Sequence, residues 1–118
     1  MRVVTWNINS VRLRINSVKK VVKKLNPDIL CLQETKCLKE NFPFKDFEKM
    51  GFIDTEAVGI KGYNGVCIAS KHPISSIDKY IFYNKDDARH MNIEFLYKNK
   101  KIIIHNFYVP AGGDEPNP

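Results

Sequence analysis

An α/β fold built on a mixed sheet is the architecture this sequence predicts, and three observations carry it. Ile29-Leu30-Cys31-Leu32 is an apolar run introduced by the turn-like Asn26-Pro27-Asp28, and it reads as a strand buried on both faces, as parallel strands usually are. A second short apolar run, with Thr5 inside it, opens the chain from Met1 to Trp6. Between them Val18, Val21, Val22 and Leu25 follow the i, i+3, i+4, i+7 spacing of an amphipathic helix, with Lys19, Lys20, Lys23 and Lys24 on its other face and end. Strand, helix and strand make a βαβ unit, which forces its two strands parallel.

Taken in order, the first strand ends in Asn7-Ile8-Asn9-Ser10, where Ser10 or Asn9 is expected to cap the helix by accepting orphan backbone donors. The last lysines suit the negative end of the helix dipole, and Asn26-Pro27 stops the helix. Phe44, Phe47 and Met50 stand at helical spacing before Gly51, a suitable end for a short second helix. Phe52 to Val58 reads as a strand and Gly59 to Gly65 as a loop holding Tyr63-Asn64. Val66 to Ser70 and Ile74 to Phe82 read as strands divided by Lys71-His72-Pro73. Asp86 to His90 reads as a polar loop entering a strand from Met91 to Leu96, and Tyr97 to Lys100 as a hairpin turn into Lys101 to Tyr108. Strands this close in sequence imply antiparallel pairing, so the sheet is mixed. From Val109 to Pro118, prolines and glycines leave only loop chemistry.

A chain of 118 residues has room for one domain with a real core and not for two. Its 43% hydrophobic and 27% charged residues are ordinary for a soluble globular protein. A net charge of +6 with a pI near 9.3 leans toward polyanionic partners, nucleic acid above all, since counterion release drives such binding. A solvated basic face on the first helix and at Lys98 to Lys101 accounts for much of the same excess. Cys31, Cys37 and Cys67 form no CxxC or His-paired set, so neither a zinc site nor a disulfide framework is indicated, and the odd count fits a reducing compartment. No apolar segment approaches the ~20 residues of a membrane span, and no basic region followed by an apolar one opens the chain. A cytoplasmic location is the expectation.

The chemistry gathers where the first two strands stop. The buried run ends in Gln33-Glu34-Thr35-Lys36 and the opening run in Asn7-Ile8-Asn9. Ligands of open α/β sheets bind outside the carboxyl ends of the strands. Glu34 by itself reads equally as a solvated loop residue, but parallel neighbours would bring Asn7 and Glu34 to one sheet edge. An amide oxygen beside a carboxylate suits a hard divalent cation that keeps several waters, Mg²⁺ before Zn²⁺. Tyr63, between glycines, is placed either to stack on a nucleobase or sugar or simply to half-pack a turn.

Thr5 to Arg12, Leu32 to Lys36, Gly62 to Val66 and Asn106 to Pro110, in that order and spacing, resemble the exonuclease III group of apurinic/apyrimidinic (AP) endonucleases, within the endonuclease/exonuclease/phosphatase superfamily. The resemblance implies a Mg²⁺-dependent (Mn²⁺ being the alternative ion) DNA-repair phosphodiesterase acting at abasic sites and 3′ ends of duplex DNA. The implied fold is a four-layer sandwich, of which residues 1–118 would form half: one mixed sheet with helices on its outer face. It further implies that Glu34 and Asn7 serve the metal, that Tyr108 and Asn7 are catalytic, and that Arg12, Tyr63 and Lys36 contact DNA. Ser10 and Ala111 depart from the residues many relatives carry, glycine and a polar group respectively.

The same resemblance implies a Gly-Asp-x-Asn block and a final Ser-Asp-His block, and neither occurs in the 118 residues; Gly113-Asp114-Glu115-Pro116 has proline where the asparagine would stand. The chain alone is therefore expected to be inactive and to need a complementary carboxy-terminal fragment. A non-catalytic DNA-binding remnant, a split-gene product and a phosphatase branch of the superfamily are the alternatives. A lone sheet would also leave one apolar face open, which predicts aggregation, self-association or rescue by a complementary fragment carrying the second half.

Overall fold

A computed structural model of the protein describes residues 1–60, 63–82 and 85–109. Its elements are β1 (Val3–Asn7), α1 (Ile15–Leu25), β2 (Ile29–Gln33), a 3₁₀ turn (Lys39–Asn41), α2 (Phe44–Lys49), β3 (Asp54–Ile60), β4 (Tyr63–Ser70), β5 (Ile74–Phe82), β6 (Lys85–Tyr97) and β7 (Lys100–Phe107). The fold is of the α/β class. As the βαβ reading requires, β1 and β2 are parallel, with Val3 opposite Ile29 and Asn7 opposite Gln33.

The expected single mixed sheet is corrected to two. Strands β1-β2-β4-β3 form a mixed sheet and β5-β6-β7 an antiparallel one. The cause is topological. Both edges of β4 are taken, by β2 and by β3, so the strand after β4 has no place beside it and starts a second layer. That layer also removes the expected open face. Alternation along β2 sends Leu30 and Leu32 to one side, where they pack with Val18, Val22 and Phe47 of the helices. Ile29 and Cys31 go to the other side and meet Met91, Ile93 and Phe95 of β6. Helices thus cover the outer face of the first sheet, and the second sheet covers its inner face. The second sheet's own outer face leaves Ile103 and Phe107 about half exposed, at 51% and 50%.

Three local expectations change as well. Ser10 does not cap α1: the helix starts after Arg14, which makes no side-chain cap, and the Ser10 hydroxyl instead accepts a long 3.4 Å bond from the Leu13 amide within the preceding turn. Asp86 to His90 is not a loop but the first part of β6, with His90 opposite Phe107. Residues 63–65 begin β4, so the loop read from Gly59 to Gly65 is mostly strand. The hairpin at Tyr97 to Lys100 forms where expected, with Lys98 and Asn99 both at positive φ, as a tight turn matched to strand twist requires.

At the end of the sandwich away from the β1 and β2 tips, Asp28 accepts the Arg2 amide at 2.8 Å and lies 3.1 Å from His72 Nε2. The Arg2 backbone bond, with His72 helping and partial burial opposing, holds the Asp28 carboxyl below its ordinary value. On the second sheet, burial and then His105 lower the His90 pKa. Both groups have depressed folded values, so each contributes stability that is present above its unfolded pKa and lost as pH falls. Thermal midpoints should therefore decline first below about 6.5, as His90 is forced to charge, and again below about 3.9, as Asp28 protonates. Asp28→Asn should remove the second decline and leave the first. An unchanged lower limb in that variant would refute the assignment.

The three thiols are buried, and burial raises all three pKa values, that of Cys31 to about 12. Since the thiolate is the nucleophile, Ellman's reagent at mildly alkaline pH should label none of them in the native chain and all after denaturation. A fast-labelling native thiol would contradict this packing.

Candidate metal and phosphate site at the strand tips

Beyond β1 and β2 the chain forms two loops joined backbone to backbone. The Ile8 amide donates to Gln33 O at 2.9 Å, Ser10 to Glu34 O at 2.8 Å and Val11 to Thr35 O at 3.1 Å. Ile8 and Val11 are fully buried in the helix-side core and anchor the first loop. The second is hung from β4, through Thr35 N to Gly65 O at 3.1 Å and Lys36 N to Asn64 O at 2.9 Å. Asn9, Ser10, Glu34 and Lys36 all have positive φ, between +48° and +86°. Such backbone costs about 1–3 kcal/mol per residue and clusters where function demands it.

The loops present a mixed set of polar side chains. Asn7 follows Thr5 on the face of β1 opposite Val4 and Trp6, which pack toward the helices. Glu34 comes one residue after Gln33, the register partner of Asn7. Among the described residues neither the Glu34 carboxylate nor the Asn7 amide has a hydrogen bond or ion pair. Lys36 is engaged, its Nζ donating to Asn9 Oδ1 at 2.5 Å. Arg12 is exposed and lines a shallow cavity of about 360 Å³ with Ser10, Leu13 and Lys36. Arg14, by contrast, is pinned by its Nε to Ile8 O at 2.9 Å.

Tyr108 lies just past β7, partly buried against the core between the sheets. Two residues earlier, Asn106 is 2% exposed and points into the same interface. Asn7, Glu34, Tyr108, Arg12 and Lys36 thus all belong to strand tips or the loops that follow them. The side chain of Tyr63 lies outside the described ones, as do Ala111 and Gly113 to Pro116. Asn106 and Gly65 stand inside two of the sequence blocks quoted above, but sequence reasoning gave neither of them a role of its own.

A divalent cation fits this donor set in part. The Glu34 carboxylate and the Asn7 amide, unpartnered among the described residues, supply hard oxygen ligands, the chemistry of an ion that retains waters. No group of three or more His, Cys, Asp or Glu side chains that could hold a metal ion gathers among the described residues.

The fold and these loops define a member of a known class: residues 4–116 match the Endonuclease/Exonuclease/phosphatase family, and the chain belongs to it. Within the family it is similar to exodeoxyribonuclease III of Haemophilus influenzae, 30% identical over 114 residues that make up 95% of this chain and 42% of that protein. It is also 30% identical to a DNA-(apurinic or apyrimidinic site) endonuclease of Dictyostelium discoideum, over 96% of this chain and 31% of that one. Among solved structures, an AP endonuclease from Archaeoglobus fulgidus superposes with a TM-score of 0.80 at 35% identity, covering 93% of this chain and 41% of its own. A 3′ phosphatase from Neisseria bound to a product DNA hairpin gives 0.77 at 28% identity, covering 87% and 40%. The chain therefore spans roughly a third to two fifths of the length of these relatives. No helix among the described residues is long and apolar enough to cross a membrane.

Proposed function

We propose that residues 1–118 supply part of a Mg²⁺-dependent phosphodiesterase domain that acts on duplex DNA at abasic sites and 3′ ends, and that incision needs groups from a further carboxy-terminal segment, in cis or in trans. The observation that carries this reading is the pair of interlocked loops, which among the described residues leave Glu34 and Asn7 without side-chain partners at adjacent strand tips. Glu34 and Asn7 would hold the cation. When bound, the cation supplies charge stabilisation at the phosphate and activation of water. The Tyr108 hydroxyl would donate to a phosphate oxygen as charge develops. Arg12 and Lys36 would position the DNA backbone without reading sequence, Lys36 by exchanging Asn9 for a phosphate, and Tyr63 would stack on the strand.

A second reading, a DNA-binding module without catalysis, is favoured by the net charge of +6 and by Arg12 and Lys36 lining one open cavity. Two measurements with a duplex carrying a tetrahydrofuran abasic analogue separate them. Fluorescence anisotropy should give a dissociation constant of roughly 10⁻⁴–10⁻⁶ M whose salt dependence flattens by about one unit of slope in Arg12→Ala. Salt-independent binding, or an unchanged slope in that variant, would overturn the DNA assignment. Incision with Mg²⁺, repeated in EDTA and with a 3′-phosphate end, should appear only when the missing portion of a relative is added, and Glu34→Gln should abolish it. Binding without incision under every condition favours the second reading.

A further inference from the structure

Two sheets packed face to face through Ile29, Val66 and Ile68 on one side and Met91, Ile93 and Phe95 on the other are held by non-directional contacts. Such contacts resist separation better than they resist a small slide. Among the described residues, directional polar bonds tie the sheets at both ends: Ile74 N of β5 donates to Asp54 Oδ2 of β3 at 2.8 Å at the end away from the candidate site, and Asn106 ties the end beside it. The Asn106 carboxamide on β7 donates from Nδ2 to Leu32 O at 3.0 Å and to Cys67 O at 2.8 Å, the carbonyls of facing residues on β2 and β4. Its Oδ1 accepts Gln33 Nε2 at 2.8 Å, and the same Gln33 nitrogen lies 2.9 Å from Thr5 Oγ1 on β1. One buried amide and its partner therefore join β7 to three strands of the other sheet.

The members of this network stand in a telling relation to the candidate site. Gln33 immediately precedes Glu34, Thr5 lies two residues before Asn7 and Asn106 two before Tyr108. We propose that Thr5, Gln33 and Asn106 are positioning residues, which fix the Tyr108 strand end on the second sheet at one distance from the Asn7 and Glu34 strand ends on the first. The inference deepens the nuclease reading and rests on it for what the positioning serves. A buried donor or acceptor that loses its partner costs about 1–3 kcal/mol, so a slide of β7 along β2 would strand several polar atoms at once. Only one register satisfies them all. A site assembled from two sheets needs this, because a displacement of roughly 1 Å is enough to spoil its geometry.

The alternative is that the network merely satisfies buried polar atoms, and NMR of the chain with labelled tyrosine and backbone nitrogen separates the two. In Asn106→Leu, which keeps the branched shape and removes the tie, the Tyr108 ring should become averaged and the Glu34 and Asn7 amides should shift, while the amides of Met91 to Phe95 stay in place. Thr5→Val, on an exposed position of β1, should give the same pattern at smaller amplitude and covers the case in which Asn106→Leu fails to fold. Added Mn²⁺ should broaden the Glu34 and Tyr108 signals together in the unaltered chain, and the Tyr108 broadening should drop about threefold in the variants while that of Glu34 holds. A Tyr108 ring unchanged in a folded Asn106→Leu chain, or in Thr5→Val if the former does not fold, overturns the positioning role. Absence of Mn²⁺ broadening at Glu34 in the unaltered chain overturns the metal reading instead, and leaves the metal-free comparison to decide the tie.

Discussion

Gly65→Ala should destabilise the chain by about 2–6 kcal/mol, the sum of about 1–3 for a strained backbone and about 1–3 for overpacking. Gly65 sits at φ +114°, which an L-residue reaches only with strain, and a Cβ there would fall 2.2 Å from Thr35 Oγ1 and 3.3 Å from the Lys36 amide. Thr35 is 1% exposed and its hydroxyl has no hydrogen-bond partner among the described residues, so it has nowhere convenient to go. The backbone bonds from Thr35 and Lys36 to residues 65 and 64 would be pushed apart with it. The damage therefore reaches the loop that carries Glu34.

Gly51→Ala provides the control. Gly51 is also at positive φ, +101°, but a Cβ there meets nothing within 4 Å, so only the backbone strain remains, about 1 kcal/mol. Urea midpoints of the two variants should differ accordingly. Thr35→Ala should restore part of the stability lost in Gly65→Ala, a coupling visible in a double-mutant cycle. Equal losses at Gly51 and Gly65 would mean that contact with Thr35 does not shape the loop.

What could be read from the sequence, and what could not, divides along physical lines. The βαβ unit was legible because Val18, Val22 and the β2 run follow simple periods, and those periods are what burial on one or two faces imposes. Asn7 and Glu34 were legible as strand-end oxygens for the same reason: the apolar runs stop there. The split into two sheets was not legible, because it depends on β2 and β3 having already filled both edges of β4, a non-local fact. Asp86 to His90 looked like a loop because a strand pairing through its backbone between β5 and β7 does not require apolar side chains. The Ser10 cap failed because four residues of turn separate it from the helix. Positive φ at Glu34 and Lys36 leaves no trace in residue type, since neither is glycine or asparagine; its trace lies at Gly65, the residue that makes room. Asn106 has no local signature either, as its partners are 39 to 74 residues away in sequence.

Phe95→Ala should cost about 3–5 kcal/mol, a large share of the roughly 5–15 kcal/mol that holds a domain of this size together. The ring is fully buried between the sheets, with Ile74 and Ile102 as its register partners on β5 and β7. It also stacks on His72 at 5.6 Å between centroids and 5° between planes. Its removal opens the sandwich at the end opposite the candidate site and takes away the surface that holds His72 against Asp28. The acid limb assigned to Asp28 should therefore shrink in Phe95→Ala along with the thermal midpoint. Phe95→Leu, which leaves less of a cavity, should lose less of both. Tyr108, tied at the other end through Asn106, should keep its chemical shifts in either variant. Loss of stability with a Tyr108 environment disturbed as strongly as that of His72 would show that the two ends of the interface are not held independently, and that the apolar core rather than the Asn106 tie sets the register of the sheets.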